Sequence, residues 1–208
     1  MGIGTEPLRI GDLRLFRGDP PPPERGVVDV DLGAAGPRVD DWSRSGGLLA
    51  LQAIAPAAAL PNGTRARLSF LGVGPGAALA GYAALRLGAR RTELVLHPDD
   101  QAAFDALAGN DRASKRVAAY RRIEDAPDGA FHDMVALGCD GAVPPMDQCA
   151  PLVRRLRPEG QLLLFGLPAD GLEEVFDEVA RRGLSLRAMG IRDGLAFLSG
   201  SLERGEFR

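Results

Sequence analysis

The sequence predicts an α/β fold: a doubly wound, mostly parallel sheet with helices on both faces. Three observations carry that expectation. Short apolar runs alternate along the chain with Ala/Leu-rich or amphipathic stretches at helical spacing. A glycine cluster, Gly72, Gly74 and Gly76, stands between one apolar run and the helical stretch behind it. The chain has 208 residues, 45% of them hydrophobic, which suffices for one full α/β domain and is short for two.

Residues 1–47 read as an irregular N-terminal segment with short strands, packed on the main domain because it is too small to hold a core. Leu8-Arg-Ile-Gly-Asp-Leu-Arg-Leu-Phe16 alternates around a Gly-Asp turn and predicts one or two strands. Pro20 to Pro23 forms an extended connector, and Val27-Val-Asp-Val-Asp-Leu32 is a further strand candidate. The main domain, residues 48–208, opens with an Ala/Leu/Ile-rich helix over 48–60, weakened near Pro56, and a turn at Pro61-Asn62-Gly63. Arg67-Leu-Ser-Phe-Leu71 is a buried strand. The glycine turn follows, then an Ala/Leu helix closed by Gly88, then a second strand ending at Leu96.

Pro98-Asp99-Asp100 starts a helix over 101–108, with proline in the first turn and acids complementing the dipole. A short strand lies within 115–123. Phe131-His-Asp-Met-Val-Ala-Leu-Gly138 is apolar enough to be a central strand, although His132 and Asp133 at its start are expected to face solvent. Pro144-Pro145 precedes a helix over 147–156, and Pro158-Glu-Gly160 makes a tight turn. The apolar strand 161–165 ends at Gly166-Leu-Pro168. Residues 172–182 are amphipathic, with Leu172, Val175, Phe176 and Val179 on one face, and Gly183 caps them. A strand over 184–189 follows. The tail from 193 to 203 reads either as a short helix or as the return strand of a hairpin turning at Asp193-Gly194.

A net charge of −3, with Arg interleaved among Asp and Glu, gives no electrostatic reason to expect nucleic acid or an anionic membrane as partner. No apolar run is long enough to span a bilayer. Two cysteines and two histidines cannot assemble a common Cys/His zinc site, so no metal is expected. The N-terminus lacks a signal-peptide pattern, which predicts a cytoplasmic location. The Ala, Gly, Arg and Pro bias with scarce Lys reads as bacterial GC-rich coding.

Gly72-x-Gly74-x-x-Ala77 matches the dinucleotide fingerprint with alanine for the third glycine. In that reading Gly72 permits the turn off the strand, Gly74 admits a pyrophosphate to the backbone, and Ala77 with Gly81 lets the helix pack on the sheet. The helix N-terminus offers N–H groups and partial positive charge to an anion. The same residues, Gly72-x-Gly74-x-Gly76, match the first motif of S-adenosylmethionine methyltransferases. The acid that ends the second strand in dinucleotide sites is absent. His97 occupies its place, which favours NADP over NAD, and Asp99 is the nearest carboxylate able to swing in. Phe70 stands where the methyltransferase pattern has an acid. Gly138, with Cys139 and Asp140, and Gly166 end strands on the side where ligands bind in such sheets. The candidate cofactor-binding residues are therefore Gly72, Gly74, Pro75, Gly76, Ala77, His97, Asp99, Gly138 and Gly166; no catalytic residue is assigned.

From about residue 45 to 207 the chain resembles the cofactor domain of the medium-chain dehydrogenase/reductase family. The matching pieces are residues 48–63, the glycine turn with Leu85-Arg-Leu-Gly88-Ala-Arg-Arg, the strand from Phe131, the stretch Leu152-Val-Arg-Arg-Leu-Arg-Pro-Glu-Gly-Gln-Leu-Leu-Leu-Phe-Gly166-Leu-Pro, and 184–190 followed by a final helix over 195–207. The family's catalytic β-rich domain and its zinc ligands have no counterpart here. The resemblance implies a Rossmann-like domain binding NADP or NAD, and an oxidoreductase that is reduced or borrows groups from a partner, acting on a small molecule as a homodimer or with a partner subunit. The alternatives are an S-adenosylmethionine-dependent methyltransferase, in which residues 185–200 form an antiparallel hairpin, and a non-catalytic Rossmann scaffold.

Overall fold

A computed structural model describes residues 8–10, 13–16, 19–31, 68–86, 88–98, 101, 104–105, 115–144, 146–192 and 194–202. The predicted helix over 48–60, the turn at 61–63 and most of the helix over 101–108 lie outside these. Strands β1 (Leu8–Ile10), β2 (Leu13–Phe16) and β3 (Val28–Asp31) form a three-stranded sheet of their own. The β1–β2 pair is antiparallel and the β2–β3 pair parallel. Arg14 on β2 clamps β3 in two-pronged fashion, its Nε and Nη2 donating to Asp29 Oδ1 and Oδ2 at 2.6 and 3.0 Å.

The main sheet starts with β4 (Ser69–Val73), whose middle residues are buried on both faces. Helix α1 (Ala77–Arg86) follows the glycine turn and touches β3 of the small sheet. Next come β5 (Arg91–Val95), β6 (Val117–Tyr120), a short 3₁₀ turn (Ile123–Asp125) and β7 (His132–Gly138). Helix α2 (Met146–Val153), β8 (Leu156–Pro168), α3 (Leu172–Arg181), β9 (Leu184–Arg192) and β10 (Leu195–Leu202) complete the described order. The seven strands lie in the order β6-β5-β4-β7-β8-β10-β9. From β6 to β8 all neighbours are parallel, and β10 runs antiparallel to both β8 and β9. The α/β class with a mostly parallel sheet is as predicted.

Leu71, Val135, Leu137, Leu162 and Leu164 on one face of the sheet join Leu152 of α2 and Val175 and Val179 of α3 in a single core cluster. The α3 stripe is the predicted one, with Leu172, Val175 and Val179 buried and Phe176 partly so. No helix among the described residues is long and apolar enough to cross a membrane.

Two expectations are corrected. The tail is not the final helix of a dehydrogenase domain: residues 195–202 are strand β10, inserted between β8 and β9. Ladder pairing on both sides satisfies its backbone, and Ala196 and Leu198 fill the core beside α3. Nor does His132 face solvent. It is fully buried, with Nδ1 3.1 Å from Ser69 Oγ and Nε2 3.7 Å from Oε2 of the equally buried Glu93. Asp133 is half-buried, accepting from Ser69 N at 2.7 Å and Arg157 Nη1 at 3.1 Å.

Candidate functional site

The strand order reverses direction at β4: the chain passes from β4 outward to β5 and β6, then returns to lay β7 on β4's other side. Such a switch point leaves a crevice beyond the carboxyl ends of the two central strands. The glycine turn stands there. Gly74 and Gly76 both take positive φ, +80° and +78°, a conformation costly for any residue with a Cβ. Ala77 N donates to Gly74 O at 3.1 Å, closing the turn, and Ala80 N donates to Gly76 O at 3.0 Å as α1 begins. The first turn of α1 carries no acidic residue, so no carboxylate there offsets its partial positive charge.

Packing within the protein already explains two of the glycines. A Cβ on Gly138 at the end of β7 would lie 1.7 Å from Pro75 O, and one on Gly74 would lie 2.7 Å from Gly138 O. The turn and the end of β7 thus meet backbone to backbone. The close approach expected at Gly74 for a ligand's pyrophosphate is made instead by Gly138. Gly72 is equally enclosed, with Ala77 O, Leu94 and Phe70 at 3.0 to 3.1 Å from its missing Cβ.

Beyond Gly138 the chain turns through Asp140 and Gly141, both at positive φ. Cys139 N donates to Phe165 O at 2.9 Å and Gly141 N to Gly166 O at 2.7 Å, which ties the end of β7 to β8. Gly166 itself takes φ +71° where the β8–β10 register slips by one residue. The Gly141 bond is a part of the site that residue types alone do not reveal, since it depends on that bulge. Cys139 is buried, and burial foremost, with Cys149 nearby, pushes its thiol up to about 12. It is therefore a packing residue and not a nucleophile. Asp140 is exposed on the rim.

Of the nine candidate residues, Gly72, Gly74, Pro75, Gly76, Ala77, Gly138 and Gly166 are brought together at the ends of β4, β7 and β8. His97 lies half-buried two residues beyond β5, on the same end of the sheet. Asp99 lies outside the described residues. No group of three or more His, Cys, Asp or Glu suited to a metal occurs among the described residues.

No protein-family model matches the chain, and no curated protein matches it. Solved structures do. The ribosomal protein L11 methylase of Lactobacillus delbrueckii subsp. bulgaricus superposes with a TM-score of 0.63 at 16% identity, over 96% of this chain and 100% of that one. The N-methyltransferase NodS of Bradyrhizobium japonicum WM9 gives 0.55 at 13% identity, over 80% and 99%. An O-methyltransferase family 2 protein of Planctomyces limnophilus gives 0.56 at 17% identity, over 81% and 61%. At such identities the likeness concerns the fold. It corrects the medium-chain dehydrogenase resemblance and the oxidoreductase, NADP and NAD expectations built on it. The physical reason is the last strand. The dehydrogenase reading needs a helix after β9, whereas the chain folds back as antiparallel β10.

Proposed function

We propose that this chain is an S-adenosylmethionine-dependent methyltransferase acting on a small molecule. The observation that carries the reading is the seven-stranded order with antiparallel β10 inside the edge strand β9, combined with a glycine turn at the β4/β7 switch point. Fold alone does not fix chemistry. The turn is what adds a ligand to it, because it aims the uncompensated N-terminus of α1 into the crevice.

In this reading Gly72, Gly74, Pro75, Gly76 and Ala77 hold the methionine portion, with its carboxylate toward the start of α1. His97 takes the place of the missing acid and offers a ring nitrogen to the ribose hydroxyls, and Asp99 is the neighbouring carboxylate. Gly138, closed against the Pro75 backbone, and Gly166 form the backbone floor on which the acceptor would lie. Bound there, the sulfonium cofactor supplies an electrophilic methyl group. The protein's part is to align the acceptor and keep water away.

Thermal-shift titration with S-adenosylhomocysteine, NADH and NADPH tests this. A ligand at a hundred times its dissociation constant stabilises the fold by about 2.7 kcal/mol. The homocysteine compound alone is expected to raise the melting temperature. A rise with either nicotinamide nucleotide and none with S-adenosylhomocysteine would overturn the proposal.

A further inference from the structure

β7 carries the glycine-lined crevice at one end and a second concavity at the other. Its seven residues, at roughly 3.3 Å each, set about 23 Å between the two. At the amino end, the loop 128–131 and the end of α2 enclose a hollow of about 320 Å³. Small-molecule sites begin at about 300 Å³. One wall is apolar: Phe131 keeps 52% of its surface exposed there, and Pro151 stands on α2 beside it. Gly129 lines the hollow too, and a Cβ on it would meet nothing within 4 Å, so that side is open.

The polar wall is unbalanced. Arg155 donates from Nη1 to Pro127 O at 3.2 Å, and from Nη2 to Ile123 O at 3.0 Å and Ala126 O at 3.4 Å. These carbonyls fix the guanidinium in place and leave its charge unanswered. Arg154 is exposed next to it, and its side chain has no partner among the described residues. Asp128 lines the same hollow yet pairs with neither arginine. Two guanidiniums and one carboxylate leave one positive charge over. The dipole at the carboxyl end of α2 accounts for a cation there. It does not account for a second one beside an exposed aromatic ring. The surplus is felt inside the protein. His132 N donates to Arg155 O at 2.8 Å, and the buried His132 ring is kept neutral first by burial, then by Arg91 and Arg155. A guanidinium already neutralised by a carboxylate would exert little of that field.

We propose that this hollow is a second ligand site, taking a small monocarboxylate with a flat apolar body. The body lies against Phe131 and Pro151. The carboxylate meets the Arg154 guanidinium, whose planar fork suits two oxygens at once, and shares the field of the fixed Arg155. Asp128 limits the charge that fits. A phosphate dianion would set its second negative charge against that carboxylate, and an amine would face two arginines. The site lies at the opposite end of β7 from the crevice, so it is independent of what the glycine turn holds.

Equilibrium dialysis of the full chain against naphthoate, naphthylmethylamine and inorganic phosphate tests the proposal. Naphthoate is expected to bind one to one, about tenfold or more tighter than either of the others. Arg154→Gln should weaken naphthoate by about tenfold or more with an unchanged melting temperature, because that side chain holds nothing else in the fold. Asp128→Asn should tighten naphthoate and admit phosphate. No binding at millimolar naphthoate, an equal affinity for the amine, or a naphthoate affinity that Arg154→Gln leaves unchanged overturns it.

Discussion

Acidification should weaken this fold through His132. Burial pulls its pKa down from 6.5 to about 4, helped by Arg91, Arg155 and Arg157 and opposed by Asp133. Glu93 Oε2 stands 3.7 Å from Nε2, a separation that would favour the imidazolium. Arg91 Nη2 already lies 2.5 Å from Glu93 Oε1, however, and absorbs much of that charge, so desolvation prevails. Nε2 itself makes no hydrogen bond that would reward protonation. In the unfolded chain the ring takes up its proton near pH 6.5; in the folded chain it resists until about pH 4. Unfolding therefore binds a proton between those values. Stability is unaffected above pH 6.5 and falls as the pH drops through the window. At 1.36 kcal/mol per unit, the full loss is about 3 kcal/mol, a large share of the roughly 5–15 kcal/mol that holds a domain together. Urea unfolding of the wild type and His132→Gln, from about pH 7.5 to about pH 4.5, isolates this group, because other carboxylates titrate in both. The wild type should lose about 1 kcal/mol or more per unit relative to the variant below about pH 6. Parallel curves would refute the reasoning.

Two further outcomes follow from the site. Gly138→Ala drives a Cβ to 1.7 Å from Pro75 O, and because that neighbour is backbone the turn must open. We expect a loss of more than about 3 kcal/mol in chemical denaturation, or no folding at all, and a wild-type melting curve would show that the turn does not rest on β7. Cys139, buried with its thiol pushed up to about 12, should resist iodoacetamide in the native protein and react once unfolded. Intact-mass analysis reads this, and rapid alkylation of native Cys139 would contradict the burial.

The strands that build the centre of the sheet are legible in the sequence because they are buried on both faces. Phe70-Leu71, Met134 to Leu137 and Leu162 to Phe165 read as continuous apolar runs. The α3 stripe is legible for the complementary reason, one face in and one face out. Glu93 and His132 are not. A charged and a titratable residue inside strand patterns read as exposed positions, and only the assembled sheet shows that they shroud one another. β10 is legible only as one of two alternatives, a short helix or the return strand of a hairpin, and the structure takes the second. Phe197, Ser199 and Ser201 alternate with Ala196, Leu198 and Gly200, which is a strand period, yet the two serines are buried while the same stretch also spaces Leu195, Leu198 and Leu202 like a helix. What decides between them is tertiary: β8 presents an open edge on one side, and α3 leaves room for Leu198 on the other.

The glycine turn and β10 divide the functional information between them. The turn is where the eye goes in the sequence, but its glycines answer first to the protein's own packing, since Gly74 and Gly138 each lack a Cβ so that β4 and β7 can close on one another. Any Rossmann-like sheet with that closure selects the same residues, whichever nucleotide-like ligand lies beyond it, and so the motif is equally at home in dehydrogenase and methyltransferase frames. The reversed strand lies at the other end of the chain and touches none of the candidate site residues except through β8, where Gly166 forms the bulge that brings Leu167 opposite Ala196. That bulge also positions Gly166 O to receive Gly141 N. The direction of β10 is thus built into the floor of the crevice. A substitution that straightened Gly166 would disturb strand register and ligand end together, and for that reason the residue belongs to both the fold and the site.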